Sequence, residues 1–119
     1  ISSPWGGVQS AQSGVKWAPT VPPVWRDIDP DSDYLAMLFD TTLPESIPYH
    51  LLFGFRQDSL LGRDSSDGVI KLESQLRLDA QEQAQLVRGF DEGHVTILSN
   101  ADVISLVNEI LQREDHTAD

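Results

Sequence analysis

The amino-acid sequence predicts an α/β chain, mostly parallel strands with flanking helices, and three observations predict it. Tyr49-His50-Leu51-Leu52-Phe53-Gly54-Phe55 is short, almost wholly apolar and ends at polar residues, the pattern of a strand covered on both faces. Ala84-Gln85-Leu86-Val87-Arg88-Gly89-Phe90 is a second, alternating strand candidate, and the stretch between the two is long enough for the crossover that joins parallel neighbours. Asn100 as cap, Asp102 in the first turn and Val103, Ile104, Val107, Ile110 and Leu111 at helical spacing predict an amphipathic helix ending near Arg113.

The earlier elements follow in order. Residues 1–48 are irregular and rich in Gly, Pro and Ser, and Ile1-Ser2-Ser3-Pro4-Trp5-Gly6-Gly7 reads as the end of a strand running into a loop. A short helix fits Val8 to Val15. Ala18 to Trp25 is expected to be extended, because each proline fixes its own φ and biases the residue before it away from the helical region. A helix follows from Ser32 to Phe39, capped by Asp31 or Ser32, with Asp33 near the positive end of its dipole and Leu35, Leu38 and Phe39 on one face. Residues 49–113 hold the strand, loop, strand and helix. Within that loop Arg56 to Ser66 is hydrophilic, Val69, Ile70 and Leu72 return to the core, and Glu73 to Leu76 forms one helical turn. Residues 114–119 read as a mobile tail.

Eight basic against nineteen acidic residues give a net charge of −11, which disfavours nucleic acid and anionic membrane surfaces as partners. There is no cysteine, which excludes disulfides and thiolate metal sites, and no apolar run approaches the ~20 residues that span a bilayer. No targeting signal is visible, so localisation is left open.

Ligands of open parallel sheets sit beyond the carboxyl ends of the strands. Asp67 comes twelve residues after Phe55 and His94 four after Phe90, so both loops leave from that edge. A carboxylate followed by an imidazole suits a relay in which the acid orients the base and the base moves a proton. Asp67-Gly68 is also a common turn dipeptide, and its bland reading is a turn. Asp58 and Asp64 are rival acids. The three aspartates lack the alternating spacing of a calcium loop, so no metal is expected, and no cofactor motif is present. His50, inside the strand candidate, reads as packing or hydrogen bonding, and His116 as a solvated tail residue. Trp5, Trp17 and Trp25 either anchor loops to the core or line an apolar substrate pocket.

Ser66-Asp67-Gly68-Val69-Ile70-Lys71-Leu72-Glu73-Ser74-Gln75, followed by Gly93-His94 and a helix opened by Asn100-Ala101-Asp102-Val103-Ile104, resembles the C-terminal part of lipase-like α/β-hydrolases. In that family an S/D-D-G-V-V-P-x-x-S stretch carries the triad acid and a later G/S-H carries the histidine; Lys71 stands where proline is common. The opening Pro4-Trp5-Gly6-Gly7 resembles the strand end found one helix after the nucleophile, often T-P-x-G-G. The resemblance implies the C-terminal portion of an α/β-hydrolase fold, with Asp67 and His94 as two members of a Ser-His-Asp triad. The G-x-S-x-G elbow that carries the serine does not occur in these 119 residues. The implied activity is that of a carboxylic-ester hydrolase of lipase or esterase type, with an ester or lipid substrate. The implied partner is the N-terminal part of the same hydrolase; the isolated chain is expected to be inactive, and to self-associate, bind that missing part or be only partly ordered. Two alternatives stand beside it: a non-catalytic interaction domain derived from a truncated hydrolase fold, and an acyltransferase using the same triad.

Overall fold

A computed structural model describes residues 1–56 and 65–115. The rival acids Asp58 and Asp64, most of the hydrophilic loop and the end of the tail with His116 lie outside the described residues. The elements are α1 (Gln9–Trp17), α2 (Pro23–Asp27), α3 (Asp33–Phe39), β1 (His50–Phe55), α4 (Leu72–Gln75), α5 (Leu78–Glu82), β2 (Leu86–Asp91), a 3₁₀ turn (Thr96–Ser99) and α6 (Ala101–Asp115). The chain is therefore mixed α/β, with one described two-stranded sheet.

β1 and β2 run parallel, with His50 opposite Leu86 and Phe55 opposite Asp91, so the two strands end side by side. Leu51 and Leu52 are both buried, and because successive side chains point to opposite faces, β1 is covered on both. On one face Leu52 packs with the fully buried Ile97 and with Val103, joined by Leu86, Phe90, Leu106 and Val107. This cluster seats the 3₁₀ turn and α6 against the sheet. The other edge of β1 is met by the opening segment, where Ser2 N–H donates to Leu52 O at 2.8 Å.

Several expectations need correction. The extended segment stops at Pro22, because Pro23 opens α2: proline at the first helical position loses only an amide that has no partner there anyway. Trp25 is thus helical. α1 begins one residue later than the sequence suggests and continues to Trp17. α5 has no counterpart among the expected elements, since Leu78–Glu82 buries only Ala80 and shows no apolar stripe. The buried face of α3 is narrower than expected: Leu35 is buried, whereas Leu38 is exposed. α6 continues to Asp115, and its apolar stripe is only half used, with Val103 buried while Ile104 and Leu111 face solvent.

Both helix caps follow their side-chain chemistry. The Ser32 hydroxyl accepts from Leu35 N–H at 3.2 Å at the start of α3. Asn100 Oδ1 accepts from the amides of Asp102 at 2.8 Å and Val103 at 3.1 Å, filling two positions that an α-helix leaves unpaired.

Candidate functional site: an aspartate and a histidine beyond the parallel strands

The loop after β1 folds back on itself between Ser65 and Leu72. Leu72 N–H donates to Ser65 O at 2.8 Å, Asp67 N–H donates to Ile70 O at 3.2 Å, and Ser66 bridges Lys71 in antiparallel fashion. Gly68 takes φ +94 at the tip, a conformation that L side chains rarely adopt, which explains the Asp-Gly order at this point. The turn buries Asp67 and directs the amides of Val69 and Ile70 at its Oδ1, at 2.9 and 2.7 Å.

The second carboxylate oxygen meets the imidazole. His94 Nδ1 lies 2.8 Å from Asp67 Oδ2, and the backbone repeats the link, His94 N–H donating to Asp67 O at 2.8 Å. A carboxylate only accepts, so Nδ1 carries the hydrogen and the lone pair is left on Nε2. Asp67 is closed off from water while the His94 side chain keeps 35% of its surface accessible. In such a pair the imidazole can take a proton on Nε2 while the buried carboxylate fixes its orientation and stabilises the cation formed.

Neighbouring groups hold the pair in place. Gln75, fully buried, accepts from Gly54 N–H at 3.2 Å and donates through Nε2 to Gly54 O at 3.0 Å and Ile70 O at 3.1 Å, tying the acid loop to β1. Gly54 has no room for a side chain, since a Cβ there would lie 2.8 Å from Glu92 O and 3.2 Å from Asp67 Cβ. On the histidine side Gly93 N–H donates to Thr96 Oγ1 at 3.0 Å. The Glu92 carboxyl is held below the usual carboxylate range, first by a hydrogen bond from Thr96 and then by one from Asn100, whose Nδ2 donates to Oε1 at 2.8 Å.

Compared with family models, curated proteins and solved structures, the chain matches none of them. Its function is therefore argued from its own geometry.

Of the sequence-predicted residues, Asp67 and His94 are brought together and the tryptophans are dispersed. Trp5 stands edge-on to Phe39 and Tyr49, with ring centroids 6.0 and 6.1 Å away, as a loop anchor. Trp25 lies against Gly14, and Trp17 is 80% exposed. None of the three lines the cavity of about 720 Å³ formed by residues 6–10, Pro30 and parts of 69–78. No group of three or more metal-ligating side chains occurs among the described residues, and no described helix is long and apolar enough to cross a membrane. Sequence reasoning missed Gln75 and Gly54 as supports. A glutamine in a one-turn helix carries no local sign that it is buried, and a strand glycine does not name its neighbours.

Proposed function

We propose that this chain is the C-terminal part of a lipase-like α/β-hydrolase acting on carboxylic esters, with Asp67 as the triad acid and His94 as the base. The observation that carries the reading is the 2.8 Å contact between His94 Nδ1 and Asp67 Oδ2, made by loops that leave the same ends of two parallel neighbours. His94 Nε2 would take the proton from an upstream serine hydroxyl as its oxygen attacks the ester carbonyl, then deliver that proton to the leaving alkoxide. Water would release the acyl group by the same relay in reverse order. Asp67 holds the imidazole and takes up no proton.

Two further features support the assignment. The opening segment, which forms no strand although its sequence suggests a strand end, and which holds Ser2 at φ +48, meets the edge of β1 away from β2, the side on which upstream strands would continue. Val87 on β2 and Ile104 and Leu111 on α6 leave apolar surface for an upstream portion to cover.

The test uses the full-length protein that carries this chain, assayed with p-nitrophenyl esters and a serine-directed fluorophosphonate. The expected result is turnover and labelling of one serine upstream of Ile1, with kcat reduced on the order of 10⁴-fold by Asp67→Asn or His94→Ala. The chain by itself is expected to be inert, since a base without a nucleophile lacks the covalent route. Turnover that survives His94→Ala would refute the assignment.

A further inference from the structure

The edge of β1 that faces away from β2 is closed at Gly54 by side chains. One rung earlier it is closed by backbone, Ser2 N–H donating to Leu52 O at 2.8 Å. At Gly54 the N–H donates to Gln75 Oε1 and to Ser2 Oγ, each at 3.2 Å, and the carbonyl accepts from Gln75 Nε2 at 3.0 Å. A carboxamide carries an acceptor and a donor side by side, as a peptide group does, so Gln75 fills the place that the next residue of a neighbouring strand would take. Ser2 leaves that edge at φ +48, a left-handed conformation that few non-glycine residues adopt and that persists only where the surroundings enforce it. The partners also fix which way the carboxamide points, since Gly54 N–H can only donate and the carbonyls of Gly54 and Ile70 can only accept.

The second hydrogen on Gln75 Nε2 goes to Ile70 O at 3.1 Å. That oxygen also accepts from Asp67 N–H at 3.2 Å, and Ile70 N–H returns to Asp67 Oδ1 at 2.7 Å. One side chain thus joins the sheet edge to the peptide that holds the carboxylate. Gly54 lies where three segments meet, because a Cβ there would be 2.8 Å from Glu92 O, 3.2 Å from Asp67 Cβ and 3.4 Å from Ser2 Oγ. Ser2, Gly54, Asp67, Ile70 and Gln75 are all buried, so the bridge is complete within this chain whatever covers its surface.

We propose that Gln75 is a positioning residue of the acid–base relay: it substitutes for a strand at Gly54 and, through Ile70, sets where the Asp67 carboxylate stands against His94. This rests on the reading of Asp67 and His94 as acid and base. A misplacement of about 1 Å at a reacting centre can cost about 100-fold. The amides of Val69 and Ile70 still hold Oδ1 when Gln75 is lost, so a smaller displacement and an effect of about 10-fold are expected.

The experiment measures kcat and KM of the full-length protein with p-nitrophenyl acetate, in the wild type and in Gln75→Met and Gln75→Asn. Rates are divided by the sites labelled with a fluorophosphonate, so that unfolded molecules do not count. Methionine has a similar length without the hydrogen bonds. Asparagine keeps the carboxamide but is too short to bridge Gly54 and Ile70, and it decides the matter if Gln75→Met does not fold. For each variant kcat per labelled site is expected to fall about 10-fold with KM nearly unchanged, and the proton resonance of His94 Nδ1–H is expected to move upfield as its bond to Asp67 loosens. A lower melting temperature with kcat per labelled site and the proton resonance unchanged overturns the proposal, leaving Gln75 as interior filling. A rise in KM alone overturns it too, since the bridge would then act on substrate binding. Absence of ester turnover in the wild type overturns the reading of the Asp67–His94 pair, and the role of Gln75 with it.

Discussion

Residues 1–48 and 49–113 are held together by different means. Among the described apolar side chains of the first region only Ala11 and Leu35 are buried, and Trp17, Val24, Met37 and Ile47 are each more than half exposed. The second region buries Leu51, Leu52, Ile70, Ala80, Ile97 and Val103, and it also buries Asp67, Ser74 and Gln75 with their polar atoms hydrogen-bonded. The contrast teaches where the geometry of the pair comes from. Asp67 and His94 are positioned by bonds made within 49–113, whereas the N-terminal arm is attached through a few links, such as Ser74 Oγ donating to Gly7 O at 2.6 Å.

The largest effect is expected from removing the buried carboxylate. Asp67→Ala strips the acceptor from the amides of Val69 and Ile70 and from the imidazole. Leaving buried donors unmade costs about 1–3 kcal/mol each, so a total of about 3 kcal/mol is expected from urea denaturation. Asp67→Asn keeps Oδ1 and should lose about 1 kcal/mol, while removing the anionic partner of His94. Equal losses in the two variants would mean that the turn does not depend on Oδ1.

One methyl group placed in each region gives a direct comparison. Gly54→Ala forces a Cβ to within 2.8 Å of a backbone oxygen at Glu92, and overpacking of this kind costs about 1–3 kcal/mol. Gly14→Ala brings a Cβ within 2.2 Å of the Trp25 ring, but that ring is partly exposed and can swing aside. There the helix propensity gain of about 1 kcal/mol offsets the displacement, and the melting temperature should hardly change. A larger drop for Gly14→Ala than for Gly54→Ala would reverse the comparison.

Arg77 is one link between the regions: it donates to Trp5 O at 3.3 Å, pairs with Asp79 at 2.7 Å and stacks over Phe39 at 4.2 Å. Arg77→Ala should cost about 1 kcal/mol, mostly the cation–π contact and one hydrogen bond. It should also speed proteolysis within 18–48 while the amide signals of Asp67 and His94 stay where they are. Movement of those signals would show that the arm helps to set the pair.

How much of this was legible in the sequence follows the same division. The meeting of Asp67 with His94 was readable because chain order, strand ends and the Asp-Gly turn are local signals, and both caps at Ser32 and Asn100 were readable for the same reason. α2 was not, because Pro22 and Pro23 look alike in sequence and only the second falls at a helix start. The exposure of Ile104 and Leu111 was hidden as well. Periodicity shows that a helix has an apolar stripe and leaves open how much of it finds a partner. Gln75 depends on groups on two other segments of the chain, which no short window of sequence contains.

The smallest effect concerns the hinge between strand and histidine. The folded chain lowers the Glu92 carboxyl below its ordinary value of 4.5 through hydrogen bonds from Thr96 and Asn100, so the ionised form is favoured in the folded state. A depressed carboxyl contributes stability that is present above the unfolded value and is lost as the pH falls through the folded one. Glu92→Gln keeps an acceptor for Asn100 but cannot titrate. Wild type should therefore melt slightly above Glu92→Gln at neutral pH, and the gap should close as the pH is taken well below 4.5. The other carboxylates titrate alike in both proteins and cancel in the difference. A gap that stays constant with pH would show that Glu92 braces this segment by shape and not by charge.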